Sequence, residues 1–199
     1  MLKRVVRTPL AALCPPGAVL TTLNPSDKHA DVVLSGGNLT ASVASGTAYR
    51  NVRSTTFKGG IRAAEVTVNS ITSGDPGIGF ANSSAALNNW GGNDSNSAAV
   101  YPSGNTYFGG ALEAGATSYV IGSVRLLIIN KTAGKWYLKH GSSIEPAGAD
   151  PAAGTGGFTL PSGDIFLFLG LYDSGDSFTV QFSGTPTIAL PTGVVMWDD

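Results

Sequence analysis

The sequence predicts an all-β protein, an antiparallel two-sheet β-sandwich with an extended N-terminal arm. Three observations predict it. Apolar residues recur at every second position in many short stretches, as in strands with one buried and one solvated face. Glutamate, a strong helix former, occurs only at Glu65, Glu113 and Glu145, and charged residues make up 13% of the chain, whereas glycine occurs 27 times. That balance disfavours helices and favours tight turns. Clusters of Gly, Asn, Asp and Ser then interrupt the apolar stretches at short intervals, the punctuation of sandwiches and barrels.

Taken in order, residues 1–26 read as the arm. Prolines at positions 9, 15, 16 and 25 forbid a helix and favour extended geometry. The arm carries basic Lys3, Arg4 and Arg7 and apolar Leu10 and Leu13, which are candidate assembly contacts. Its apolar stretch is too short and too interrupted by proline for a secretory signal, so none is expected. Residues 27–199 read as one sandwich domain. Leu39, Ala41 and Val43 alternate with Thr40 and Ser42; Ala64, Val66 and Val68 alternate with Glu65 and Thr67; Ile78 and Phe80 share a face. Tyr119 to Ile129 is apolar on both sides and β-branched, which predicts a central strand covered on both faces. Asn130 to Gly134 reads as a turn leading into Lys135–Gly141, with Trp136 and Leu138 inward and Lys135 and Lys139 outward, together a hairpin. Residues 141–157, rich in Gly, Ala and Pro, read as a long loop. Ile165 to Tyr172 is a buried strand, Asp173 to Asp176 a turn, and Phe178, Val180 and Phe182 an inward row.

The composition narrows the chemistry. With 199 residues the chain can bury roughly 70% of its unfolded surface, so a core needs neither disulfide nor metal. The net charge of −1 gives no field to draw in nucleic acid, and no nucleic-acid partner is expected. No stretch approaches the ~20 apolar residues of a membrane-spanning helix, and no membrane insertion is expected. Cys14 stands without a neighbouring His or Lys and reads as a small apolar filler. His29 and His140 accompany no nucleophile motif, and together with one cysteine they do not make a zinc site. A glycosidase needs two carboxylates about 5–9.5 Å apart, and the glutamates are isolated in sequence. Gly74 to Gly79 lacks the Lys-Ser/Thr of a phosphate loop and precedes a strand. The oxygen-rich Asn93–Asn96 and Asp173–Asp176 read as turns without the spacing of a calcium loop. No enzyme, cofactor or metal is expected. The stretch 82–108 is the most suggestive for binding. It reads as a loop with Trp90, Tyr101, Tyr107 and Phe108 among Asn, Ser and Gly, a composition suited to contacting protein or sugar.

The order of motifs resembles the SPRY family, a concanavalin-like sandwich of two antiparallel sheets, and within it the versions encoded in bacteriophage genomes. Leu23-Asn24-Pro25-Ser26-Asp27-Lys28 resembles its opening segment, followed by Val33 to Ala41. Tyr49-Arg50-Asn51-Val52-Arg53 and Gly77-Ile78-Gly79-Phe80-Ala81 resemble two of its strands. Ile121 to Gly141 is similar to its "G-K-x-x-F-x-K-N-G" hairpin and Phe166 to Phe182 to its closing strands, so that the likeness spans about residues 23–184. Gly60 to Val66 lacks an aromatic pair found there, and Asn130 and His140 replace an Asp and an Asn. The resemblance implies a non-catalytic binding module contacting protein or peptide through rim loops, here 82–108 and 141–157. In a phage it implies a virion protein of tail fibre, baseplate or head decoration, with other virion proteins as partners in a homo-oligomer or symmetric array. Recognition of host-surface polysaccharide or protein is the alternative that it leaves open.

Overall fold

The structure is a computed structural model, and it describes residues 20–199. Lys3, Arg4, Arg7, Leu10 and Leu13 therefore lie outside the described residues. Sixteen strands follow one another among the described residues. The first six are β1 (Leu23–Lys28), β2 (Val32–Ser35), β3 (Thr40–Val43), β4 (Thr47–Ser54), β5 (Ile61–Ser70) and β6 (Gly77–Ala81). Next come β7 (Ser97–Val100), β8 (Asn105–Phe108), β9 (Ala111–Gly115), β10 (Val124–Asn130) and β11 (Lys135–His140). The last are β12 (Ser143–Glu145), β13 (Phe158–Thr159), β14 (Phe166–Asp173), β15 (Ser177–Gln181) and β16 (Val195–Met196).

They form two sheets. One has seven strands in the order β1-β4-β14-β6-β7-β8-β9. The other has nine, with the path β12-β11-β10-β5-β15-β3-β2, β13 on β11 and β16 on β5. Pairing is antiparallel throughout except that β16 runs parallel to β5, taking up the edge at Arg62 and Ala63 that β15 leaves beyond Glu65. The all-β sandwich expected from the alternation is thus the fold observed. β1 pairs with β4 and buries Leu23, so residues 23–26 of the expected arm stand in a sheet.

The main core lies between the sheets. Ala64, Val66 and Val68 of β5, Leu127 and Ile129 of β10, and Trp136 and Leu138 of β11 face Ile78 and Phe80 of β6 and Leu167, Leu169 and Leu171 of β14. Trp197, from the chain's last turn, enters the same core and stacks on Phe80, with ring centroids 6.0 Å apart at 9°.

Both outer faces are also covered, which alternation alone does not show. On the nine-stranded sheet, Ile188, Val194 and Met196 pack on Ala63, Leu126, Ile128 and Tyr137. This explains why β10 is apolar on both sides. It also overturns the solvated place expected for Lys139: its side chain lies under the C-terminal segment, donating to Gly141 O (2.8 Å) and Ala189 O (2.9 Å). Glu65 sits there too, accepting from the amides of Thr187 (3.0 Å) and Ile188 (2.8 Å). These bonds give buried polar groups the partners that burial demands.

Two further expectations need correction. The strand expected over 119–129 begins only at Val124, because Gly122 adopts φ +83° in a turn closed by the Ser123 amide donating to Val120 O (3.0 Å), while the Gly122 amide donates to Val68 O of β5 (2.8 Å). Val120 and Ile121 then stand on that turn 66% and 58% exposed, while Tyr119 is buried and donates to Pro76 O at 2.7 Å. The stretch 82–108 is not one loop. β7 and β8 lie within it, and 141–157 likewise contains β12.

Candidate functional site

Register assembles a site on the outer face of the seven-stranded sheet. One cross-strand row runs Arg53, Phe168, Gly79, Ala99, Tyr107 through β4, β14, β6, β7 and β8. The row beside it contains Asn51, Gly170 and Gly77. The centre of this face is thus paved with small residues, and the loop 82–96 lies down on it. The closeness shows at Gly91 of the loop, where an added Cβ would stand 2.7 Å from Phe168 Cε1 and 2.8 Å from Ala99 Cβ.

Polar side chains of β4 fasten the loop. Arg53 forms a two-pronged ion pair with Asp27 (2.7 and 2.6 Å) and donates through Nη1 to Asn82 O (3.2 Å) and Ala85 O (2.6 Å). Asn51 donates through Nδ2 to Ala86 O (2.9 Å) and Asn89 O (2.6 Å), and its amide donates to Leu87 O (2.9 Å). Arg50, the residue before Asn51, pairs with Asp31 at 2.9 Å, and that bond holds the Asp31 carboxyl below its ordinary range. Gly92 carries φ +87° and lies so close to Tyr107 O that a Cβ would approach it to 2.5 Å. Glycine there sets Trp90 against Tyr107.

The result is an aromatic cavity of about 430 Å³ at one rim. Trp90 and Tyr107 meet nearly perpendicular (5.3 Å, 86°), as do Tyr101 and Tyr107 (5.7 Å, 82°), and Trp90 meets Tyr101 at 6.5 Å and 61°. Tyr49, at the head of β4, supplies a further wall and is itself packed on Tyr172 at 4.7 Å. Asp75, Ser103 and Asn105 add polar groups to the lining. Tyr101 is 7% exposed and donates to Gly91 O (2.9 Å). Burial pushes its hydroxyl well above the ordinary phenol range, which makes it a neutral donor that braces the cavity. Burial, and after it the charge of Asp75, raises the Tyr49 hydroxyl as well.

Three of the four aromatic residues expected to bind, Trp90, Tyr101 and Tyr107, therefore share one cavity. Phe108 does not join them: it follows Tyr107 on β8, points to the opposite face and packs against the main core. Sequence reasoning missed Tyr49 and Asp75. Both lie far from Trp90 in sequence, and strand order alone brings them beside it. The neighbouring turn is held by Asp176, fully buried, which accepts from the amides of Thr72 (3.0 Å), Tyr172 (3.0 Å) and Asp173 (2.8 Å) and from Thr72 Oγ1 (3.1 Å). The oxygen-rich turn 173–176 thus spends its buried carboxylate on protein donors.

The other expected rim loop, 141–157, lies over a separate depression of about 510 Å³. There Glu145 accepts from the Thr117 amide (3.0 Å) and hydroxyl and lies 3.2 Å from His140 Nε2. Glu113 accepts from the Thr159 amide at 3.1 Å. With Glu65 bonded to Thr187 and Ile188, every glutamate of the chain is a structural acceptor in a different place. Among the described residues no group of three or more His, Cys, Asp or Glu is placed to hold a metal ion, and no helix is long and apolar enough to cross a membrane.

No protein-family model and no curated protein sequence matches the chain. Solved structures do. The SPRY domain of human HERC1 superposes with a TM-score of 0.65 at 14% identity, covering 79% of this chain and 96% of that one. The PSpry domain of TRIM65 gives a TM-score of 0.60 at 13% identity, covering 82% and 92%. A human SPRY domain gives 0.59 at 14% identity, covering 78% and 98%. At these identities the likeness is one of fold, and the chain is a SPRY-like β-sandwich.

Proposed function

We propose that this chain is a non-catalytic binding module of a bacteriophage particle, a structural or adhesion protein that meets a protein partner through the Trp90–Tyr101–Tyr107 rim and is built into the virion through its N-terminal stretch. The cavity carries the binding half of the reading. Large, stiff aromatic surface with polar tips, braced by Arg53 and Asn51 below it, is the composition of an energetic contact centre, and its low mobility reduces the ordering cost of binding. The SPRY-like fold supports an interaction role without fixing the partner. The virion assignment rests on the sequence likeness to phage-encoded versions of that fold. In this reading tail, baseplate and head decoration are alternative seats, copies form a homo-oligomer or symmetric array, and residues 1–26 dock onto neighbouring virion proteins up to the point where β1 enters the sheet.

The two halves separate experimentally. Deleting residues 1–19 is expected to abolish incorporation into particles while the purified sandwich keeps its cooperative unfolding. Trp90→Ala is expected to keep the fold and lower affinity for the rim's partner at least tenfold, the effect of truncating a contact-centre aromatic. Quantifying the protein in purified particles and titrating the partner in solution check both. Normal incorporation of the shortened chain would overturn the docking role, and unchanged partner affinity of Trp90→Ala would overturn the rim.

A further inference from the structure

We propose that the rim cavity is a receptacle for a cationic side chain, a lysine or arginine presented by a partner protein beside an aliphatic residue. The inference rests on the reading that this rim binds a partner and adds the chemistry of what it takes.

The walls come first. Trp90, Tyr101 and Tyr107 pack pairwise at steep angles, 86°, 82° and 61°, and Tyr49 stands with them around the cavity. Rings in different orientations cannot all stack on one flat ligand. Together with Tyr49 they line one wall of the cavity, and a ring whose electron-rich face meets the cavity attracts a cation.

The charge comes second. Asp75 lines this cavity, and among the described residues no lysine, arginine or histidine does. Among the described residues, Asp27 meets Arg53, Asp31 meets Arg50 and Asp198 meets Lys58, while Asp94, Asp150, Asp164, Asp173, Asp176 and Asp199 make no salt bridge. Asp75 makes no salt bridge among the described residues. Its carboxylate neighbours the Tyr49 and Tyr101 hydroxyls, whose ionisation its charge opposes. An aromatic lining with one carboxylate that makes no salt bridge among the described residues is complementary to a positive charge and adverse to an anion.

The apolar ledge comes third and selects the source of the cation. Ile71, Val120 and Ile121 line a shallow depression next along the same rim, with Val120 and Ile121 largely exposed. Residues 71–73 line the ledge and residues 74–75 the cavity, so at most about 15 Å of chain separates Ile71 from Asp75. An aliphatic seat within reach of a cation seat fits a peptide segment pairing a basic residue with Val, Ile or Leu. A sugar has no group for that seat.

The test uses the full chain labelled with ¹⁵N and the short peptide acetyl-Gly-Arg-Val-Gly-amide. A second peptide carries citrulline, the neutral near-isostere of arginine, and a third probe is a neutral methyl glycoside. Chemical shifts are followed by NMR during titration. The expected result is movement of the Trp90 indole N–H and the amides of residues 71–75, with the arginine peptide binding at least tenfold more tightly than the citrulline peptide. Trp90→Ala abolishes the response. Asp75→Asn, which keeps the shape of the site, narrows the difference between the two peptides. Equal affinity of the two peptides for the unaltered chain overturns the cation receptacle and leaves the rim reading standing. Movement of Trp90 with the glycoside and with neither peptide does the same in favour of a saccharide. If no probe moves Trp90, the receptacle is overturned, and the rim reading is judged by partner affinity of Trp90→Ala alone.

Discussion

Replacing Trp197 by alanine is expected to lower the free energy of unfolding by about 4 kcal/mol, the cost of truncating a fully buried tryptophan. Trp197 closes the end of the main core. It is completely buried, stacks on Phe80 and lies 6.3 Å from Phe182. A domain's whole stability is typically about 5–15 kcal/mol, so this one side chain is a large share of it. Deleting residues 184–199 is expected to remove the cooperative transition entirely. That deletion takes away Trp197, uncovers Leu126, Ile128 and Tyr137, and removes the amides of Thr187 and Ile188 that bond Glu65. The C-terminal segment is therefore the outer layer of the nine-stranded sheet. Urea unfolding followed by near-ultraviolet circular dichroism measures both. A loss below about 1 kcal/mol for Trp197→Ala would mean that the core closes without it.

Arg53→Ala is expected to cost about 3 kcal/mol and to weaken partner binding as well, because the same side chain holds the fold and the loop. Its guanidinium is 5% exposed and serves Asp27, Asn82 O and Ala85 O together. Removing one member of such a buried pair strands the other charge, which costs more than the pair contributes. The carbonyls of the loop would lose their donor, and Trp90, five residues beyond Ala85, would lose part of its footing. Arg53→Lys keeps the charge without the fork and is expected to fall between. Urea midpoints and partner titration on the three proteins check the order. If Arg53→Ala unfolds as the unaltered protein does, the loop is held by other means.

The inner faces were legible in the sequence and the outer faces were not. Period-2 alternation placed Ala64, Val66 and Val68 and Ile78 and Phe80 inward, and the Asn130–Gly134 turn placed the β10–β11 hairpin, because a strand's own spacing decides which residues share a face. What covers the other face depends on segments distant in sequence. Lys139 looked solvated because the covering residues 184–197 lie far along the chain. Val120 and Ile121 read as strand because they are β-branched, and Gly122 overrode that preference. The cavity was half visible: Trp90, Tyr101 and Tyr107 stood out among small polar residues. Phe108 was counted with them because a stretch read as loop gives no alternation to separate Tyr107 from its neighbour. Tyr49 and Asp75 came in through strand order. The polar row Asn51 and Arg53, opposite the buried Val52, and the glycines Gly77 and Gly79 were the signals that this outer face is covered.

The most direct test of the proposed virion role is electron cryo-microscopy, at a resolution that shows side chains, of phage particles from the source of this chain. The predicted result is density for this sandwich at repeated positions on the particle, anchored through the stretch before β1, with Trp90, Tyr101 and Tyr107 in contact with another protein. Particles without the sandwich, or a sandwich held through the opposite end with Trp90 and its neighbours facing solvent and idle, would contradict the account.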